Sequence, residues 1–325
     1  MKLTKAEEEA YHSFVHTPTQ ANAAFVAMSR SIAGSRGIST GSKVLDHYVI
    51  PTRPGWVRYW LARPGEGKTT MLRTIAMTEA RRLAMEKRTD THYVAHITWE
   101  ESVDGQELYY QMGRSYKAED FWRGKVPMDI IKKDSAKRPS IPIYMLGQSM
   151  HRSHIDSKPM TVGRAIDGLR AVYKIEGKVP SLIVADYAQE IEVEMRAGTK
   201  RTEQVIQGTR DLIAMAINLK CPIELGVQAK QDSLKTKPYP IPNQESIEWA
   251  FFIHQKVTNG ISLWRPWVTH KDKGPKFTID DVEYNVSPNI MVAKPLKHRP
   301  GLLRKILPFE LNPDGLIIKD IMRIP

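Results

Sequence analysis

The chain has 325 residues, 41% of them hydrophobic, and a formal net charge of +12 from 48 Lys and Arg against 36 Asp and Glu. This composition predicts a globular protein with a substantial core, in one large domain or two modest ones. The positive charge indicates a polyanionic partner such as nucleic acid, although a well-solvated surface would also account for it. The single cysteine, Cys221, excludes an internal disulfide and a cysteine-based metal site, and fits a buried thiol in a reducing compartment.

The first part of the chain has helical patterns. Residues 5 to about 33 are predicted to be helical, with a break around HTPTQ (16–20) and an end at GSRGISTGS (34–42). We therefore expect residues 1–36 to form a helical arm and linker, and residues 37–325 to form the main domain. The sequence shows no secretory stretch and no apolar segment of membrane-spanning length, which predicts a soluble, cytoplasmic protein without a membrane partner.

Beyond the arm, strand-like apolar stretches alternate with helical patterns. The predicted strands are GWVRYWLA (55–62), HYVAHITW (92–99), IPIYML (141–146), SLIVADYA (181–188) and PIELGVQ (222–228). The predicted helices are 68 to about 87, 161–173 and 203–219. This alternation predicts an α/β fold with a mostly parallel sheet covered by helices on both faces. Three late stretches are expected to extend the sheet as antiparallel strands: GISLWRPWV (260–268), NIMVAKPL (289–296) and LLRKILPFEL (302–311).

The stretch ARPGEGKTT (62–70), between the first strand and the next helix, has the features of a phosphate-binding loop. Its two glycines allow backbone N–H groups to close around phosphates, and the N-terminus of the helix would face the anion. We expect Lys68 to reach the β- and γ-phosphates and the Thr69 hydroxyl to ligate Mg²⁺. Ala62 stands where the generic motif has glycine, and an ordinary strand-to-helix turn is the alternative. The candidate nucleotide-binding residues are Arg63, Pro64, Gly65, Glu66, Gly67, Lys68, Thr69 and Thr70.

Acidic residues end two of the predicted strands, at the sheet edge where open α/β folds bind ligands. Asp186 is expected to hold Mg²⁺ opposite Thr69, with a simple strand-capping aspartate as the alternative. Glu100 and Glu101 follow another strand, where a carboxylate could take a proton from an attacking water. A solvated acidic loop is the alternative, and the local pattern does not decide which glutamate points inward. His96, on the same strand, is expected to be a core histidine and not a metal ligand.

In their order along the chain, these motifs resemble the ATPase domain of DnaB-type replicative helicases, a RecA-like family. GISTGSKVLD is similar to the family's segment before the nucleotide site, and ARPGEGKTT to its phosphate loop, in which Ala precedes Arg-Pro. ITWEE resembles the strand-end catalytic glutamate, in a register that selects Glu100. IPIYML and IVADYAQ resemble the segment before the Mg²⁺ aspartate and the Asp-Tyr-x-Gln signature. The resemblance implies a RecA-like P-loop ATPase that uses ATP and Mg²⁺.

Two later segments of the resemblance concern catalysis. TRDLIAMAINLKCPIELGVQ is similar to the helix and strand that end in a γ-phosphate-sensing glutamine, here Gln228. KHRPG is similar to a Lys-x-Arg-x-Gly hairpin that enters the neighbouring subunit's site, which implies catalytic roles in trans for Lys297 and Arg299. The family's hexameric ring would then complete the active site, with residues 21–33 docking on the adjacent subunit. Taken alone, KHRPG fits a basic turn, and residues 21–33 fit a solvated helix.

The sequence departs from the family pattern at three points. Only about 36 residues precede the ATPase region, where the family has a large helical domain, so primase binding is left open. The loop after Gln228 lacks the family's Arg-Glu-x-Gly element. Trp264 and Trp267, with Arg265, lie in an insertion, where they would either stack nucleobases or form a small hydrophobic cluster under a hairpin.

Two predicted loops at the sheet edge carry basic residues that are candidate contacts to single-stranded DNA in a ring channel. These residues are Arg196, Lys200 and Arg201 after the metal aspartate, and Lys230, Lys235 and Lys237 after the sensor glutamine. Solvated charged loops are the alternative.

The leading hypothesis is an ATP-dependent, ring-forming DNA helicase that moves on single-stranded DNA during replication, alone or with other replication proteins. Its compact size fits a phage or mobile element. The alternatives are a RecA- or clock-type ATPase that remodels a nucleoprotein or protein partner, and an ATP-switched, helicase-associated scaffold without unwinding.

Overall fold

The computed structural model describes residues 4–34, 36–111, 116, 118–136, 138–149, 160–193, 198–231, 239–247, 251–270, 276–279, 281–298, 305–311 and 318–321. The chain divides into two compact units, residues 1–37 and residues 38–325. Within the described ranges, no helix has both the length and the apolar character needed to cross a bilayer.

The first unit consists of helices α1 (Lys5–Phe14) and α2 (Pro18–Gly34). A capping box begins α1, in which Thr4 and Glu7 satisfy each other's backbone N–H groups. The break between the helices precedes Pro18, whose missing N–H costs nothing at the first position of a helix. Both helices and the break agree with the sequence prediction.

The second unit is built on one large sheet. Its elements before the last third are α3 (Lys43–Tyr48), β1 (Val57–Ala62), α4 (Lys68–Met85), β2 (His92–Thr98), α5 (Val103–Gln111), α6 (Ala118–Trp122), α7 (Met128–Ser135), β3 (Ile143–Leu146), α8 (Val162–Glu176), β4 (Val179–Asp186), α9 (Arg201–Asn218) and β5 (Ile223–Gln228). The later elements are α10 (Phe251–Lys256), β6 (Asn259–Trp264), α11 (Pro266–His270), β7 (Lys276–Ile279), β8 (Val282–Asn285), β9 (Ile290–His298), β10 (Leu307–Leu311) and β11 (Ile318–Asp320).

In the described part of the chain, nine strands form this sheet in the order β11-β10-β9-β6-β1-β5-β4-β2-β3. The strands from β6 to β3 in this order pair in parallel, and β9, β10 and β11 extend the sheet antiparallel. The mostly parallel α/β fold with late antiparallel strands is therefore confirmed. The stretch 260–268 differs from the prediction of an antiparallel strand, because its strand β6 runs parallel to β1. Helix α10 returns the chain to the end of the sheet at which β1 also starts.

Strand β1 runs through the centre of the sheet and is buried along its whole length. Tyr59 and Leu61 face a core that includes residues of α8 and α9, whereas Trp60 and Ala62 face a second core that includes residues of α4. Successive side chains of a strand point to opposite faces, so β1 contributes to both cores. The phosphate loop therefore starts from a strand enclosed on both faces of the sheet.

The late elements add a third, smaller core. Trp264 at the end of β6 packs with Tyr239 and with Phe277 of the β7–β8 hairpin. The predicted alternative of a hydrophobic cluster under a hairpin is thus correct for Trp264, which is only 1% exposed and unable to stack a nucleobase.

The last strand of the sheet caps the first helix of this unit. Asp320 of β11 accepts hydrogen bonds from the Ser42 hydroxyl and, at 2.8 Å, from the Lys43 backbone N–H at the start of α3. A carboxylate at this position satisfies N–H groups that have no partner within the helix.

Candidate functional site

The loop between β1 and α4 has the backbone conformation of a phosphate cradle. Gly65 and Gly67 have φ values of 77° and 92°, which side-chain-bearing residues rarely adopt. Gly67 is the N-cap of α4, so the first N–H groups of that helix have no side-chain acceptor from the cap and are open to an anion. A pocket of about 250 Å³ lies over the loop. It is lined by Ala62, Arg63, Pro64, Gly65, Gly67, Lys68, Thr69, Thr70, Glu100, Gln228 and Arg265.

Lys68 brings the strand-end carboxylates together. Its Nζ lies 3.3 Å from Asp186 Oδ1 and 4.0 Å from Glu100 Oε2, and 3.4 Å above the centre of the Tyr187 ring. Burial opposes ionisation of Asp186, but Lys68 and a hydrogen bond from Thr69 outweigh burial and hold the pKa of this carboxyl below its ordinary value. The site therefore keeps a buried carboxylate charged beside the phosphate loop.

The residues predicted for Mg²⁺ fit a hard cation. Asp186 ends β4 and is 1% exposed, and the Thr69 side chain is within hydrogen-bonding range of it. Asp186 Oδ1 accepts no hydrogen bond within the described residues, and the Lys68 ammonium lies 3.3 Å from it. A carboxylate and a hydroxyl oxygen are the donor types that Mg²⁺ takes.

The Asp186 carboxylate can lie against strand β5 because residue 226 of that strand is glycine. A Cβ atom there would lie 2.8 Å from Asp186 Oδ1 and 3.1 Å from both Leu72 Cδ1 and Tyr187 Cβ. Glycine leaves the space that the Asp186 carboxylate occupies.

The structure separates the two adjacent glutamates. Glu100 faces the pocket, whereas Glu101 turns away and pairs with Arg73 of α4 at 3.1 Å. Partial burial raises the pKa of Glu100 above its ordinary value, against the opposing effect of Lys68. A raised pKa makes this carboxylate a better proton acceptor, as expected of a general base.

The predicted sensor, Gln228, ends β5 and lines the pocket. Its backbone is held by Gln189 of the Asp-Tyr-x-Gln stretch, whose carboxamide donates to the Gln228 carbonyl and accepts from its N–H, both at 3.0 Å. Gln189 was not among the predicted site residues, although it lies within the Asp-Tyr-x-Gln motif.

Arg63 and Glu66 connect the phosphate loop to later parts of the chain. Arg63 donates to Glu66 at 2.7 Å and to the Pro240 carbonyl at 2.6 Å. Burial raises the pKa of Glu66 to about 7, against the opposing effects of Arg63 and of the Arg265 backbone N–H. Arg265 also lines the pocket, with its guanidinium donating to the Pro288 carbonyl at 2.7 Å and 3.1 Å. Arg265 was predicted only as part of an insertion that could stack nucleobases, and its position at the phosphate loop was not predicted, because it lies far along the chain from that loop.

The other predicted residues that the structure describes do not line the pocket. Arg201 binds the Gln189 carbonyl and pairs with Glu190 at 3.6 Å, and Lys200 is the N-cap of α9. Lys297 donates to the His254 and Gln255 carbonyls at the end of α10. The side chain of Lys230 is exposed. Arg196, Lys235, Lys237 and Arg299 lie outside the described residues.

Other predictions concern the core. Cys221 and His96 are both buried, as expected. Trp267 is partly buried in α11.

A glycine-lined loop with a lysine, and carboxylates at neighbouring ends of parallel strands, define a RecA-like P-loop fold. Many solved structures share it, among them the two that follow. One, an ATPase domain, matches with a TM-score of 0.70 and 18% identity, over 94% of this chain and 100% of that one. The other, a DnaB-like replicative helicase solved for its interactions with primase, matches with a TM-score of 0.71 and 18% identity, over 97% of this chain and 71% of that one.

The sequence comparison identifies the family. The profile of the DnaB-like helicase C terminal domain matches residues 37–241, which is more than half of the chain. The chain therefore belongs to the DnaB-like helicase family, as the motif order predicted. A comparison with curated proteins finds no match.

Proposed function

We propose that this member of the replicative helicase family is an ATP-driven motor that moves on single-stranded DNA. The observation that carries the proposal is the meeting of Lys68, Asp186 and Glu100 at the phosphate loop, with separations of 3.3 Å and 4.0 Å from the lysine to the two carboxylates. These three groups have the charges and positions that phosphoryl transfer to water needs.

Each residue has a separate role in the proposed hydrolysis. The N–H groups of the loop and Lys68 bind the phosphates of ATP, while Thr69 and Asp186 hold Mg²⁺. When bound, the metal neutralises charge on the phosphates. Glu100 accepts the proton of the attacking water, and Gln228, held by Gln189, contacts the terminal phosphate.

The proposed active site needs a second copy of the chain. An arginine finger stabilises charge on the transferred phosphoryl group and increases the rate by about 10³- to 10⁵-fold in P-loop enzymes. Within the described residues, the pocket includes one arginine beyond the phosphate loop, Arg265. We propose that Arg299 and Lys297 of a neighbouring copy complete the site in a ring, which the resemblance implies to be hexameric.

Single-stranded DNA is the proposed track. The net charge of +12 favours a polyanion, and Lys200, Arg201 and Lys230 follow strands β4 and β5 at the edge that bears the nucleotide site. Arg196, Lys235 and Lys237 are proposed contacts in the same two loops. The division into an arm (1–36) and a motor domain (37–325), a cytoplasmic location and a phage or mobile-element origin belong to the same proposal.

The test is steady-state ATP hydrolysis with and without single-stranded DNA, for the native chain, Lys68→Ala, Glu100→Gln and Arg299→Ala. We expect DNA to stimulate the native chain, Lys68→Ala and Arg299→Ala to abolish turnover, and Glu100→Gln to leave only a small residual rate, with nucleotide binding retained by Glu100→Gln and Arg299→Ala. A native chain that binds ATP without turnover, with or without DNA, would overturn the motor in favour of an ATP-switched scaffold. Turnover accompanied by open filaments on DNA, in place of closed rings, would favour a RecA-type remodeller.

A further inference from the structure

The segment that carries the proposed general base is fixed by contacts of its neighbour, Glu101. The Glu101 backbone N–H donates to Thr98 Oγ1 at 3.2 Å, and the Thr98 hydroxyl donates back to the Glu101 carbonyl at 2.7 Å. These bonds form a tight turn directly after β2. These bonds fix the backbone from which both glutamate side chains project, so a contact that holds the Glu101 side chain also helps to hold the position from which Glu100 projects.

Arg73 holds the Glu101 side chain. It lies in the second turn of α4, five residues after Lys68, and its side chain is 4% exposed. Its guanidinium donates to Glu101 at 3.1 Å and to the Gln106 carboxamide oxygen at 3.0 Å and 2.8 Å. It also lies 3.7 Å above the centre of the Tyr109 ring. Three hydrogen bonds and a ring contact leave this cation a single orientation.

The partners of Arg73 belong to the element that follows the turn. Gln106 and Tyr109 lie on α5, and Gln106 is 1% exposed. The helix that binds the phosphates is thereby connected to the segment bearing Glu100 at two points: through Glu101 in the turn itself and through α5 beyond it.

We propose that Arg73 is a positioning residue for hydrolysis: by holding Glu101 away from the pocket, it directs Glu100 towards the terminal phosphate. The inference rests on the proposed function, because it requires Glu100 to be the general base. A displacement of about 1 Å in a catalytic group can cost about 100-fold in rate, so a clamp outside the pocket can control turnover without contacting ATP.

The test compares Arg73→Met, which keeps an apolar stem but removes the charge, with Arg73→Lys and Glu101→Ala. The matched control is Arg82→Met, on the same helix, where Arg82 pairs with Glu79 at 2.6 Å, far from the phosphate loop. We expect Arg73→Met and Glu101→Ala to lower kcat about 10- to 100-fold with little change in the KM for ATP. Arg73→Lys should recover part of the loss, and Arg82→Met should keep the native kcat.

Combination with Glu100→Gln separates positioning from a general structural effect. If Arg73 acts through Glu100, adding Arg73→Met to Glu100→Gln lowers the residual turnover no further. Native kcat in Arg73→Met, or equal losses in the two backgrounds, would overturn the proposal. If Arg73→Met does not fold, Arg73→Lys and Glu101→Ala decide by the same comparison.

The same measurements identify which proposal fails. A native chain without ATP turnover, or a Glu100→Gln variant as active as the native chain, would remove the proposed hydrolysis and the positioning role with it. Turnover by the native chain and its loss in Glu100→Gln, together with a native kcat in Arg73→Met, would overturn the positioning role alone.

Discussion

The carboxamide of Gln189 binds the backbone of Gln228 at two points, donating to its carbonyl and accepting from its N–H, each at 3.0 Å. Gln189 is 1% exposed, so water does not replace these bonds readily. The contact connects the ends of the neighbouring strands β4 and β5. It therefore fixes the position of the Gln228 backbone, from which the side chain of the proposed sensor projects.

Replacement of Gln189 by leucine keeps the side-chain volume and removes both bonds. We expect a loss of about 1 to 3 kcal/mol in the free energy of unfolding, since two backbone groups of Gln228 lose their partner. DNA-stimulated hydrolysis should fall about tenfold or more as the sensor shifts. Chemical denaturation and steady-state turnover measure the two effects. Gln207→Leu is the control, because Gln207 donates to Asp211 one turn further along α9; equal behaviour of the two variants would contradict the prediction.

Gly226→Ala should abolish the proposed ATP hydrolysis. The added methyl would lie 2.8 Å from Asp186 Oδ1, so the carboxylate must move from its place beside Lys68 and Thr69. We expect weaker Mg²⁺-dependent binding of ATP and loss of turnover, both measurable by titration with a fluorescent nucleotide and by hydrolysis. Gly163→Ala, where the nearest atom is a side-chain oxygen 3.7 Å away, should retain native activity. Retained activity in Gly226→Ala would contradict this prediction, because the Asp186 carboxylate would then tolerate the added methyl group.

The buried His96 side chain is expected to make the free energy of unfolding sensitive to acid. Burial lowers the pKa of His96 from 6.5 to about 4, assisted by Arg73 and opposed by Asp186, and its Nδ1 is hydrogen-bonded to Tyr110 at 2.6 Å. A lowered pKa means that folding disfavours protonation, so this contribution is complete above pH 6.5 and is lost as the pH falls towards 4. The loss amounts to about 3 kcal/mol at most. Between about pH 7 and pH 4, the free energy of unfolding should fall less for His96→Gln than for the native chain. An equal fall in the two proteins would refute the assignment.

Mixing two inactive variants tests whether the active site is shared. Lys68→Ala lacks phosphate binding, and Arg299→Ala lacks the proposed finger, so each variant alone should be inactive. In an equimolar mixture, some interfaces combine the intact Lys68 of one copy with the intact Arg299 of the next. We expect hydrolysis to reappear on mixing, in a concentration-dependent manner. A mixture that stays inactive while co-assembly is seen by light scattering would argue against catalysis in trans.

Local patterns were sufficient for the centre of the fold. Strands β1 to β5 and helices α4, α8 and α9 have regular apolar periodicity and clear turn residues, and each lies within a few residues of its predicted position. The phosphate loop was predictable because its glycines and lysine are contiguous. The pairing direction of β6 was not, because it depends on where α10 returns the chain.

Features that depend on contacts between distant residues escaped the sequence analysis. The local pattern left the choice between Glu100 and Glu101 open, and only the family resemblance selected Glu100. The ion pair that holds Glu101 was not predictable, because its partner, Arg73, lies nearly thirty residues earlier. Arg265 reaches the pocket from about two hundred residues beyond the loop. For Trp264, a cluster under a hairpin was one of the two predictions, but its members Tyr239 and Phe277 were not predictable from the tryptophan motif.

The hydrogen bonds from Ser42 and Lys43 to Asp320 also have a practical consequence for expression and labelling. They connect the first helix of the second unit, α3, to strand β11, so that the two ends of this unit are joined by hydrogen bonds. A tag, fusion or truncation that displaces Asp320 would disturb the start of α3 although the two positions are far apart in sequence. Conversely, a peptide linking the end of β11 to the start of α3 would join segments that already lie in contact, which makes this unit a suitable scaffold for circular permutation.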